Sequence, residues 1–189
     1  VLDCGFRNVY ANKTISSVED MKGLKIRTLE TPAQLNLFTA LGAAPTPMGF
    51  SELYTSLQQG VVDGAENVPE AYFSSRHFEV AKVYNETKHL YLTMMYLISE
   101  KTYQSLPKDL QEIVAQAAKE AIQYENELIK KEQSEIYKKL QEAGVTINKI
   151  EDLTPFVEKA KESWLKSADS IPGGKELLEE ILKAAGKTL

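Results

Sequence analysis

The residues able to do chemistry in this 189-residue sequence are few, and the most telling is a cation that closes a strand pattern. In "GLKIRT", residues 23–28, Leu24, Ile26 and Thr28 alternate with Lys25 and Arg27. The run ends on Arg27 rather than on a turn residue and passes straight into a helix start. Arg7 follows the strand-like "LDCGF" in the same way, and Asn67 follows "VVDGAE". In α/β layers, ligands sit beyond the carboxyl ends of strands. A guanidinium offers a rigid fork of donors that matches the two oxygens of a carboxylate, and an asparagine adds a donor and an acceptor. Together the three side chains describe a carboxylate cradle. Each is also of a type that ordinarily lies on the surface, and spacing alone leaves both readings open.

Other chemistry finds little support. The two histidines, His77 and His89, stand at no metal-ligand spacing, so no metal or cofactor is expected. "GVVDGAEN" has glycines at 60 and 64 but lacks the third glycine and the following helix of a dinucleotide site. The Ser, Thr and Tyr residues read as caps and faces, so an enzyme is not expected. A net charge of −5, with basic residues alternating with acids as in "KEQSEIYKKLQE", argues against a nucleic-acid surface. No apolar run approaches the roughly 18 residues of a membrane span. The lone Cys4 excludes an internal disulfide. Asp3 before it fits a lipid-attachment cysteine badly, and a packed thiol is the expectation. The abrupt start in "VLDCGF" reads as the middle of a chain, and a C-terminal piece is expected.

These residues must be positioned by an α/β layer. Residues 1–10 alternate as a strand, 16–23 form a short turn capped by Ser17 and Asp20, and 24–28 form the next strand. Thr31, Pro32 and Gln34 open a helix over 31–42 with a capping box. An extended "APTPM" leads to a helix over 50–60, a strand over 61–67 and a helical piece over 69–76. Two strands are expected within 79–100. From Pro107 to Ala143 runs one helical pattern, with Leu110, Ile113, Val114, Ala117, Ala121, Tyr124 and Leu128 on one stripe. At 1.5 Å per residue it extends roughly 54 Å, more than a small domain, so it is expected to span two lobes or kink. A strand over 145–150 and two helices, from Thr154 and from the "PGGKELLEEILKAAG" stretch, complete the chain.

The stretch from Gly23 to Asn67 closely resembles the solute-binding proteins of TRAP transporters, the dicarboxylate-type periplasmic receptors. The matching segments are Asp20–Arg27, Gly42–Pro47, Phe50–Gly60 and Val62–Asn67, with Gly5 and Arg7 upstream. "RHFEVAKVYNETKHLY" and "LPKDLQEIV" extend the likeness over nearly the whole chain. One departure is that Val68 separates Asn67 from Pro69 where the family has Pro at once.

The resemblance implies a periplasmic-binding-protein-like lobe, a β-sheet flanked by helices, with the first lobe mostly missing. Residues 1–92 and 133–189 would form the second, arginine-bearing lobe, and 93–132 would belong to the first. It implies an extracytoplasmic protein that captures a small organic acid (a sugar acid, dicarboxylate or 2-oxo acid) and delivers it to TRAP membrane subunits. A ligand-sensing ectodomain of a signalling protein would use the same module. Arg27 looks like the arginine that grips the ligand carboxylate, Arg7 like a second ligand-facing arginine, and Asn67 like a contact to the same group. Phe50 resembles an aromatic wall, with a helix-start core residue as the alternative. Glu66 and His89 would orient Arg27 from behind. Tyr72 would either line the pocket or pack in the core. Met48, Met94 and Met95 read as core filler.

Overall fold

The computed structural model describes residues 1–188. The elements are β1 (Leu2–Ala11), β2 (Lys25–Thr28), α1 (Pro32–Ala40), β3 (Ala44–Pro47), α2 (Leu53–Gln58), β4 (Gly64–Asn67) and α3 (Pro69–Ser74). They continue with β5 (Val83–Met94), α4 (Glu100–Ser105), α5 (Lys108–Glu142), β6 (Thr146–Lys149), α6 (Thr154–Asp169) and α7 (Gly174–Ala184). The strands make one mixed sheet in the order β3-β2-β4-β1-β5-β6. β2 runs parallel to both β3 and β4, and β5 to β6, while β1 is antiparallel to β4 and β5. This is the expected α/β layer with helices on both faces.

Alternate residues of β1 build the two faces. Val9 joins Ile15, Met21, Ile26, Leu37, Phe38 and Phe156 in a core under α1 and α6. Tyr10 joins Leu53, Leu57, Ala65, Tyr72, Tyr84, Ile136 and Leu140 in a core under α2, α3 and the C-terminal part of α5. Full burial of a side chain such as Phe38 contributes about 1.5–3 kcal/mol. Two apolar faces on one strand explain why β1 reads as a weak alternation rather than a clean one.

Four expectations change. Arg7 does not follow a strand: β1 continues to Ala11 and carries Arg7 mid-strand, because residues 8–11 pair with β4. The two strands expected in 79–100 are one, β5, bent at Lys88, whose φ of 45° coincides with a register shift against β1. Gln34 does not complete a capping box on Thr31. Its side-chain oxygen instead accepts from the Leu29 N–H at 2.9 Å, tying the end of β2 to α1. The extended "APTPM" segment is a strand in its own right, paired to β2.

The long helix is α5, 35 residues and so about 52 Å. Its buried positions are Ile136 and Leu140 only. The stripe residues Leu110, Ile113, Val114, Tyr124 and Leu128 are 37–66% exposed. Met94, which ends β5, and the following residues Met95 to Ile98 are exposed as well, so Met94 and Met95 are not the core filler expected.

Candidate functional site

Arg27 stands one residue from the end of β2, paired with Ala65 of β4. Ala65 pairs with Tyr10 of β1, and Tyr10 with Tyr84 of β5. Residues paired across neighbouring strands share a face, so Arg27, Ala65, Tyr10 and Tyr84 form one row. Arg27 is only 2% exposed. Its Nε and Nη2 donate to the Met48 carbonyl at 3.0 and 2.8 Å. Thr46 pairs with Arg27 across β3 and β2, so Met48 lies just past the strand end with its carbonyl outside the ladder. Pro45 and Pro47 hold that connector extended.

The Phe50 ring lies 5.5 Å from the guanidinium carbon and is 43% exposed, so it edges the site rather than packing in the core. Burial lowers the Arg27 pKa, yet an arginine remains charged. With Nε and Nη2 committed to Met48, Nη1 makes no hydrogen bond among the described residues. The arrangement is a fixed cation with donor capacity to spare.

Arg7 lies on the other face, with Val9 and Glu66. It donates through Nε and Nη2 to the two Glu66 carboxylate oxygens at 2.5 and 2.6 Å, and through Nη2 to the Glu66 carbonyl at 3.1 Å. His89 Nε2 lies 3.2 Å from Glu66 Oε2, and its Nδ1 lies 2.8 Å from the Thr87 hydroxyl. Burial would raise the Glu66 pKa, but the hydrogen bonds from Arg7 and His89 outweigh it and hold the carboxyl below its ordinary range. The expectation that Glu66 and His89 orient Arg27 is therefore corrected. β4 alternates, so Ala65 faces Arg27 while Glu66 points away from it, to Arg7.

Asn67 ends β4 at the same edge as Thr28 ends β2. Its Oδ1 accepts from the Val68 N–H at 3.0 Å, and its carbonyl accepts from the Tyr84 hydroxyl at 3.0 Å. No hydrogen bond joins it to Arg27 among the described residues. Tyr72 is fully buried, donates to the Ala81 carbonyl at 2.6 Å and packs on Tyr10 and Tyr84. Of its two readings, core packing is the one the structure shows. Two groups at the site were not foreseen: the Met48 carbonyl, which a side-chain reading of methionine misses, and His77, which packs beside Phe50. Their signals were the two prolines before Met48 and the Phe50 position opposite a buried histidine, the second visible only in three dimensions.

An apolar groove of about 340 Å³ opens beside His89 between α1, α6 and α7, lined by Leu37, Leu90, Trp164, Leu178 and Ile181 among others. Arg27, Phe50 and Asn67 do not line it. Among the described residues no three His, Cys, Asp or Glu side chains converge as a metal site requires.

The family model described as bacterial extracellular solute-binding protein, family 7, matches residues 1–170. A solute-binding protein of Roseobacter denitrificans is 39% identical over 162 residues, covering 85% of this chain and 49% of that protein. Among solved structures, a TRAP periplasmic solute-binding protein from Sulfitobacter sp. NAS-14.1 with bound β-D-galacturonate superposes with a TM-score of 0.89 at 35% identity. That match covers 94% of this chain and 59% of the other. One from Chromohalobacter salexigens with bound D-glucuronate gives 0.92 at 29% identity, covering 97% and 61%. The chain spans about half the length of the curated relatives it matches. The Roseobacter, Sulfitobacter and Chromohalobacter relatives are described as solute-binding proteins. The chain belongs to bacterial extracellular solute-binding protein family 7, the TRAP-transporter periplasmic receptors.

Proposed function

We propose that this chain is the arginine-bearing half of an extracytoplasmic receptor that captures a small organic acid and delivers it to TRAP membrane subunits. The observation that carries the proposal is Arg27: a buried, fixed guanidinium at a strand end, with Nη1 uncommitted and Phe50 and Asn67 at the same edge. A ligand carboxylate would take the free donors of Arg27, with the Asn67 amide beside it and Phe50 as a wall. Arg7, locked to Glu66, would present its remaining donor from the other side of the sheet edge. Fixing the cation beforehand means that little rotamer entropy is lost on binding.

Residues 1–92 and 133–189 are proposed as one lobe. Residues 93–132, with their exposed apolar run and the unpartnered stripe of α5, are proposed to pack in the other. Ligand would dock on Arg27, the lobes would hinge together along β1, β5 and α5, and water would leave. Burial then strengthens the charge pairing, and the closed form is what the membrane subunits would recognise. The bound galacturonate and glucuronate of the solved relatives favour a sugar acid. Among the described residues no helix is long and apolar enough to cross a membrane, and the family's description as extracellular supports an extracytoplasmic location.

A thermal-shift screen of the full-length receptor tests this reading, with hexuronates, C4-dicarboxylates, 2-oxo acids and the matching neutral sugars. One class of acid should raise the melting temperature in proportion to ligand excess, and its neutral counterpart should not. Equal shifts from acid and neutral sugar, or no shift from any acid, would remove the proposal.

A further inference from the structure

Beside Arg27 stands a titratable group for which carboxylate capture has no direct use. His77 begins the turn His77–Glu79 after α3 and is 2% exposed. Its Nδ1 lies 2.8 Å from the Tyr10 hydroxyl oxygen, and its ring stacks on the Tyr10 ring at 5.7 Å. The Phe50 ring meets it edge-on at 5.4 Å, and Phe50 in turn lies 5.5 Å from the Arg27 guanidinium. A chain of contacts therefore runs from Tyr10 through His77 and Phe50 to Arg27.

The two ends of that chain are not equally secure. Tyr10 is pinned by its pairing to Ala65 and Tyr84 and by full burial. Phe50 starts a three-residue turn and is 43% exposed, and among the described residues His77 is the one aromatic ring packed against it. Without that ring, Phe50 has a side open to rotation, and the guanidinium loses a fixed neighbour.

The charge on the imidazole matters as much as its shape. The groups facing it are Arg27 from β2, the Tyr10 hydroxyl from β1 and the uncharged Phe50. A protonated ring would place a second buried cation beside Arg27. Burial, and then the Arg27 charge, push the His77 pKa down to about 4, so the ring is neutral at any ordinary pH.

We propose, on the acid-receptor reading above, that His77 is a positioning residue for the anion site: a neutral ring anchored to Tyr10 that props Phe50 and so aims Arg27 at the ligand. The arrangement couples His77 to the ligand. An anion landing on Arg27 offsets the cation field at the imidazole, so ligand raises the proton affinity of His77 and, by linkage, acid strengthens binding while the ligand stays ionised.

The test uses the full-length receptor, D-glucuronate calorimetry and NMR titration of the His77 ring, assigned by its loss in His77→Phe. His77→Ala should bind about two- to tenfold more weakly, the range for losing one aromatic contact. His77→Phe combined with Tyr10→Phe keeps both rings and leaves no buried hydroxyl unpaired, so it should return to within about twofold of wild type. In ligand-free Arg27→Met, the His77 titration midpoint should rise. Wild-type affinity in His77→Ala, a loss that the double variant fails to restore, or an unmoved midpoint in Arg27→Met would each overturn the proposal. If the wild-type receptor ignores D-glucuronate, the calorimetry uses the acid with the largest shift in the thermal-shift screen and the same outcomes apply; if no acid shifts, it is the acid-receptor reading that fails.

Discussion

Replacing Glu66 with glutamine strikes the polar centre of the sheet. The Glu66 carboxylate is fully buried and takes both arms of the Arg7 fork at 2.5 and 2.6 Å, with His89 at 3.2 Å. Arg7 is itself only 7% exposed, so Glu66→Gln leaves a buried guanidinium with no counter-charge. Breaking a buried pair from one side typically costs about 3–5 kcal/mol. At about 2–4 °C per kcal/mol for a chain of this size, the melting midpoint should fall by roughly 6–20 °C. The retained amide oxygen places the expectation toward the low end. Replacing both partners, Arg7→Met with Glu66→Leu, removes both charges and should recover most of the loss.

The pH dependence follows from the direction of the shift. Glu66 has a folded pKa below its ordinary value of 4.5, so it contributes stability above that value and loses it as pH falls through the folded pKa. The gap between wild type and Glu66→Gln should therefore be widest near neutrality and close in acid. Urea unfolding followed by circular dichroism, from pH 7 down to pH 3, measures it. Equal stability at pH 7, or a gap that persists unchanged in acid, would contradict the buried ion pair.

Three further outcomes are expected. Tyr72→Phe leaves the Ala81 carbonyl without its donor and should cost about 1–3 kcal/mol in denaturant unfolding while leaving ligand affinity in place; a large affinity loss would return Tyr72 to the pocket. A Cβ at Gly64 would meet the Tyr10 carbonyl oxygen at 2.5 Å, so Gly64→Ala should open the β1–β4 pairing and cost about 1–3 kcal/mol, read by urea unfolding; an unchanged midpoint would show that the close approach is not real. On the proposed two-lobed reading, the 189-residue chain by itself, which spans about half the length of its curated relatives, should bind sugar acids only weakly, and micromolar calorimetric affinity would speak against a two-lobed site.

The helices and most strands could be read from local signals because those signals are local. Thr31 does cap α1, with Pro32 at its first position, and α5 shows the expected helical period over 35 residues. Pairing was harder to read. Arg7 looked like a strand end because the glycine at position 5 weakens the pattern just before it, yet β4 extends the strand to Ala11. Lys88 bends β5 without a glycine or proline to announce it, so one strand looked like two. Glu66 was assigned to the wrong arginine because strand alternation sends neighbours to opposite faces, and only the register says which arginine shares its face. The Met48 carbonyl shows a further limit: backbone groups at a site carry no residue signature.

The most direct measurement is calorimetric titration of the best-bound organic acid into the full-length receptor and its Arg27→Met variant, which keeps the apolar stem and removes the charge. A buried anion deprived of its partner typically loses about 2–5 kcal/mol, so affinity should drop by roughly 30-fold to several thousandfold. A folded Arg27→Met receptor that binds the acid as tightly as wild type would show that this guanidinium does not hold the ligand.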